Sequence, residues 1–224
     1  IDDGVIGAPV AATAFMTNHG HESWHPDPAF YYKTGAGPML DMGPYYLTAL
    51  VNLMGPAVSV SGSAAITFPE RTITSNPLSG TKIAVEVATH VAGTVNFANG
   101  AIATVVTTFD VWAANLPRVE IYGTEGSLSV PDPNTYDGPI RVWIQSSGEW
   151  VDVPVTKPFS ENSRGLGVAD MAHGIANDQP HSANGGVAAH VLEIMQAFGC
   201  SSDSGTRIDL ATTCERPVTL SLPG

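Results

Sequence analysis

The chain has 224 residues, of which 43% are apolar and only 13% charged, and it carries a formal net charge of −12. This composition supplies a core large enough for one globular domain and argues against a disordered chain. The acidic balance argues against nucleic acid or an anionic membrane as partner, and no apolar run approaches the ~20 residues of a membrane helix. With no signal peptide visible, a cytoplasmic location is expected. Cys200 and Cys214 are the two cysteines. Two thiols do not make a disulfide framework, and reduced structural thiols are expected.

In chain order, Ala8 to Thr17 is small and β-branched and predicts a strand. A polar aromatic loop from Asn18 to Lys33 follows, then a Gly-Ala-Gly-Pro turn at Gly35 to Pro38. Tyr46, Ala49, Leu50 and Leu53 have the spacing of one helical face, and Gly55-Pro56 stops that helix. Val58 to Ile66 alternates as a strand, and Pro69 to Lys82 is expected to be a loop. His90 to Phe97 and Ile102 to Phe109, joined through Asn99-Gly100, predict a hairpin with a type I′ turn. Its second face (His90, Ala92, Thr94, Asn96) is small and polar, suited to cover by another subunit. Short strands are expected at Val119–Tyr122, Ser127–Val130, Ile140–Ile144 and Trp150–Val153. Two amphipathic helices follow: one with Val168, Met171, Ala172 and Ile175 as its stripe, one with Val187, Val191, Ile194, Met195 and Phe198, stopped by Gly199. A last strand is expected around Val218 to Leu222. Strands first and grouped helices later predict an α+β fold, a largely antiparallel sheet with helices on one face.

No Gly-x-Gly-x-x-Gly fingerprint, phosphate loop or Gly-x-Ser-x-Gly elbow is present, so the chain has no recognisable dinucleotide site. Ser79-Gly-Thr-Lys82 matches a Ser-x-x-Lys pattern without its companion motifs and carries no weight. The densest polar cluster is His19, His21, Glu22, Trp24, His25 and Asp27. These types could bind a divalent metal, but no distant His-rich segment completes a site, and no metal is assigned. In Asp41-Met-Gly-Pro-Tyr45, the carboxylate and phenol stand at i and i+4 and share a helix face. Pro44 is best tolerated in a first turn, which puts the pair at the helix start. Together they could exchange hydrogen bonds with a substrate hydroxyl. Asp41 could equally be a helix cap and Tyr45 a packing residue.

Trp24-His-Pro-Asp-Pro, followed by Gly35-Ala-Gly-Pro-Met-Leu-Asp41-Met-Gly43-Pro-Tyr45, resembles the substrate domain of the glucose–fructose oxidoreductase, inositol dehydrogenase and rhizopine catabolism (Gfo/Idh/MocA) family. Gly4 to Val10, Ile121 to Leu128, Arg164 to Ala172 and His190 to Met195 extend the resemblance in order over nearly the whole chain. It implies an open-faced sheet of the dihydrodipicolinate reductase C-terminal-domain type, spanning residues 1–224, with the NAD(P)-binding Rossmann domain outside this chain. It implies NAD or NADP in the full-length protein, none held by this chain alone, and a sugar, inositol or related polyol as substrate. It also implies a homodimer or homotetramer through the sheet face. The family pairs a lysine of a Glu-Lys-Pro motif in the Rossmann domain with an aspartate and a histidine of the substrate domain. Asp41 matches the aspartate, Tyr45 stands where the histidine is usual, and none of Lys33, Lys82 and Lys157 matches the lysine. Asp41 and Tyr45 are therefore the expected catalytic residues, with His21, Trp24, His25 and Arg164 as substrate contacts. Two rival readings are a non-catalytic sugar-binding or dimerisation module and the nicotinamide-dependent glycosidase branch of the same architecture.

Overall fold

The computed structural model describes residues 1–156, 159–161 and 164–218. In chain order its elements are β1 (Pro9–Thr17), a 3₁₀ turn (Ala29–Tyr32), α1 (Pro38–Met54), β2 (Ala57–Ala65), β3 (Glu70–Thr72), β4 (Lys82–Ala84), β5 (His90–Phe97) and β6 (Ile102–Thr108). They continue with β7 (Val119–Gly123), β8 (Gly126–Val130), β9 (Ile140–Ile144), β10 (Trp150–Val153), α2 (Leu166–Asn177), α3 (Gly185–Ser204) and β11 (Ile208–Asp209). Nine strands form one open sheet in the order β10-β9-β8-β7-β1-β6-β5-β2-β11. Only β1 and β6 run parallel; the other pairings are antiparallel. This is the expected α+β architecture.

Strand register separates the two faces, because successive side chains point to opposite sides. Val60, Val95, Ala103, Ala12 and Ile121 lie in one row across five strands, and each is at most 2% exposed. α1 and α3 pack on this side. The neighbouring row, Ser61, Thr94, Thr104, Thr13 and Glu120, lies on the opposite, uncovered face. The division of β5 into Val91, Gly93, Val95, Phe97 and His90, Ala92, Thr94, Asn96 is as the alternation predicts.

Several elements depart from expectation for identifiable reasons. α1 starts at Pro38, so Pro44 falls in its second turn rather than its first and leaves the Leu40 carbonyl without its i+4 amide. Its buried face is turned toward Leu47, Val51 and Met54, with Tyr46 and Leu50 retained. The β5–β6 turn is not type I′: Gly100 has φ +87°, whereas Asn99 is not in the positive-φ region. The Asn99 side chain accepts from the Ala101 amide and donates to the Met54 carbonyl. That pattern fits a three-residue loop with glycine at the left-handed position. The segment Pro69–Lys82 is not all loop, since β3 and β4 pair as a separate two-stranded ribbon. On α2 the expected stripe faces solvent, with Val168 66% and Ile175 74% exposed, while Asp170 and Gly174 are buried. Residues 179–182 fold back over that side, where the Ser182 amide donates to Asp170 and the Gln179 amide to the Gly174 carbonyl.

α3 buries its whole predicted stripe but passes through Gly199 and ends at Gly205. The Gly62 and Ala64 amides, beyond the reach of short β11, donate to the hydroxyls of Ser201 and Ser202. Those bonds outweigh the ~1 kcal/mol that an interior glycine costs a helix. At the other end Asn184 caps the helix by accepting from the Val187 amide. Asn184→Ala should therefore cost about 1 kcal/mol, read as a lower urea midpoint at unchanged slope. Cys200 and Cys214 are both free thiols. The strand expected at Val218 to Leu222 lies outside the described residues beyond its first residue. None of the described helices is long and apolar enough to cross a membrane.

Candidate active site

β1 and β6 end side by side at Thr17 and Thr108, and the segments that leave them remain tied together. The Asn18 amide donates to the Thr108 carbonyl, and the Val111 amide to that of Asn18. The polar aromatic loop then turns sharply at Gly20, which has φ +87°. A Cβ there would overlap the Glu22 carboxylate and the Tyr32 hydroxyl, so the turn needs glycine for both conformation and space.

This turn carries His21 under the start of α1. His21 is 7% exposed; its imidazole stacks on Tyr31 with ring centres 3.6 Å apart and planes within 6°, and forms a T-shaped pair with Phe109 at 4.7 Å. Its Nε2 lies 3.7 Å from Asp41 Oδ2. Burial pulls its pKa down to about 4, against a smaller opposing effect of Glu22. His21 is thus neutral near pH 7, so the contact is not an ion pair. At 3.7 Å it is also longer than a hydrogen bond. The tautomer with the proton on Nε2 complements the carboxylate, and Nδ1 is buried without a partner among the described residues. Burial raises the pKa of Asp41, and the Tyr31 phenol is raised by burial and by the Asp41 charge.

The neutral His21 sets a pH dependence. Between pH about 4 and 6.5 the unfolded chain binds a proton that the folded chain refuses, so stability rises with pH across this window. We expect on the order of 3 kcal/mol to be lost from this group as pH falls from 6.5 to 4. The denaturant midpoint of the wild type should fall relative to that of His21→Phe as pH drops through that window, since the variant has no proton to bind there.

The sequence-predicted residues do not all meet. Asp41 and His21 come together, and Tyr45 stands one turn along α1 on the same face, about a third exposed. Trp24 leans on His21 at 5.4 Å while remaining 62% exposed. His25 packs edge-on against Tyr31 and Phe30, and its Nδ1 accepts from the Asp27 amide. Arg164 lies elsewhere: it donates to Asn134 at 3.0 Å, in the loop where Asp132 meets Tyr46 and Arg118. Burial, followed by the charge of Asp132, pushes the Tyr46 phenol up to about 12. Sequence reading missed Tyr31, which stacks on His21, and Phe109, which meets it at a right angle. The aromatic run Phe30-Tyr31-Tyr32, downstream of the glycine turn, was the available signal.

Among the described residues no group of three His, Cys, Asp or Glu side chains is placed to share a metal ion. The connection between β1 and α1 is not a dinucleotide-binding turn. Residues 18–37, with their aromatic loop, separate β1 from α1, where a pyrophosphate cradle needs a tight glycine turn.

A family model for the GFO/IDH/MocA C-terminal domain matches residues 1–129. The chain belongs to the Gfo/Idh/MocA family. Among solved structures, levoglucosan dehydrogenase in its apo form superposes with a TM-score of 0.75 at 20% identity, covering 95% of this chain and 62% of that one. An NAD-binding oxidoreductase from Klebsiella pneumoniae gives 0.73 at 19%, covering 94% and 61%. An aldose-aldose oxidoreductase from Caulobacter crescentus, complexed with glycerol, gives 0.69 at 21%, covering 93% and 58%. Levoglucosan dehydrogenase has also been solved with NADH and either L-sorbose or levoglucosan. The chain thus spans about three fifths of the length of these structures. No curated protein matches in sequence. At this identity the structural likeness establishes the fold: a Gfo/Idh/MocA C-terminal domain.

Proposed function

We propose that this Gfo/Idh/MocA domain is the substrate-binding part of an NAD(P)-dependent oxidoreductase acting on a sugar, inositol or related polyol. The observation that carries the reading is Asp41, a half-buried carboxylate on the outer face of α1, backed by a neutral imidazole and flanked by Tyr45. The aromatic wall of Trp24, Phe30 and Tyr31 beside it suits the apolar face of a sugar ring. The cofactor belongs to a segment outside these residues, and hydride acceptance is its chemistry.

In this reading the substrate hydroxyl lies between Tyr45 and Asp41. Tyr45 relays or holds the reacting proton, and Asp41 orients it. A phenol ordinarily titrates near ~10 and needs a neighbouring cation to act as a base near neutral pH. In this reading that cation is the lysine that the family supplies from its Rossmann domain. The chain alone is then inactive. The uncovered polar sheet face, from Ser61 to Glu120, is the surface through which copies would pair as dimers or tetramers.

Tyr45→Phe in the full-length protein tests the assignment. Turnover should fall about 10²-fold with KM nearly constant, since the ring stays and only the proton-carrying oxygen is lost. Unchanged turnover would remove Tyr45 from the mechanism.

A further inference from the structure

We propose that Arg71 is a positioning residue for this site: its guanidinium, outside the catalytic pair, pins the His21 loop so that the imidazole faces Asp41. The kinetic consequence rests on the oxidoreductase reading; the positioning itself does not. Arg71 lies on β3 and is only 5% exposed, far below what an arginine normally shows. Nη1 donates to Glu22 Oε1 at 2.9 Å and to the His19 carbonyl at 3.3 Å. Nη2 donates to the Phe109 carbonyl at 3.0 Å and to the Asp110 carboxylate. The guanidinium thus grips the residues on both sides of His21 in sequence, and also holds Phe109, the ring that packs edge-on against it.

The grip is itself held rigid. Tyr32 donates to the other Glu22 oxygen at 2.7 Å, Thr89 donates to Asp110 at 2.8 Å, and the charge sits over the rings of Tyr32 and Phe68. A planar fork with several donors can meet these acceptors at once, whereas a lysine ammonium is a single point. The little β3–β4 ribbon, otherwise detached from the main sheet, therefore serves the site by delivering one arginine beneath the active-site loop.

The test compares wild type, Arg71→Met and Arg71→Lys by NMR titration of the His21 ring in the 224-residue chain, and by kcat and KM in the full-length protein. The groups facing that ring are Glu22 and His25 of its own loop, Tyr31 of the 3₁₀ turn and Asp41 of α1. Releasing the loop admits water, so in Arg71→Met the ring should titrate well above 4, toward the ordinary 6.5. In the full-length protein kcat should drop on the order of 10²-fold with little change in KM, and Arg71→Lys should recover part of both effects. A folded Arg71→Met with unchanged His21 titration overturns the proposal. If Arg71→Met does not fold, Arg71→Lys, which keeps the charge but loses the fork, decides on the same criterion. A wild-type full-length protein without oxidoreductase activity, but with the His21 titration moved by Arg71→Met, would sink the proposed function and leave the positioning role standing.

Discussion

Asp41→Asn in the full-length protein should lower kcat by about 10³–10⁴-fold, more than Tyr45→Phe, while the protein remains folded and still binds substrate. The asymmetry follows from what each side chain touches. Tyr45 is a third exposed at the rim and is offered as a carrier of one proton. Asp41 is where the separate parts of the site converge: His21 faces it across 3.7 Å, and its charge reaches Tyr31. An amide keeps the size but presents an N–H in place of one acceptor, removes the charge that orients the imidazole, and cannot take a proton. Steady-state kinetics separate the outcomes: a matched fall in kcat and kcat/KM marks a transition-state role. A raised KM at constant kcat would make Asp41 a simple binding residue.

The largest stability effect is expected where α3 seats on the sheet. Phe198→Ala should cost about 3–5 kcal/mol, the usual range for deleting a fully buried aromatic ring. Phe198 has no exposed surface, and its ring and backbone lie directly on Gly62 and Gly93, which pair across β2 and β5. Because both positions lack a side chain, the helix is seated against bare backbone. Neither strand can fill the space that the ring would leave. Denaturant unfolding monitored by circular dichroism gives the value; a cost below about 1 kcal/mol would mean that α3 settles into the gap.

Much of this architecture was legible in the chain. The β5–β6 hairpin, the short strands from β7 to β10 and the buried stripe of α3 were readable because each signal is local: alternation, turn residues, helical spacing. Local signals could not say which side of a helix the remainder of the chain covers. The α2 stripe is apolar at the right spacing, yet Asp170 faces inward because the Ser182 amide needs an acceptor there. Likewise Gly199 is a good helix stop until Ser201 and Ser202 are required at the sheet edge. The β3–β4 ribbon was invisible for the same reason: three-residue strands bearing Arg71 and Lys82 have no pattern, and the partners of Arg71 lie 38 to 52 residues away. At the site, Asp41 and Tyr45 could be found because they are four apart on one helix. His21 was singled out only as a substrate contact, since its approach to Asp41 depends on the fold of the loop between them.

One measurement bears most directly on the proposed function: reduction of NAD or NADP by the full-length protein with a panel of sugars, inositols and polyols, run beside the 224-residue chain alone. The full-length protein should reduce cofactor with at least one of these substrates, and the chain alone with none. Sugar binding with no turnover by the full-length protein, or release of an aglycone with no net cofactor reduction, would contradict it.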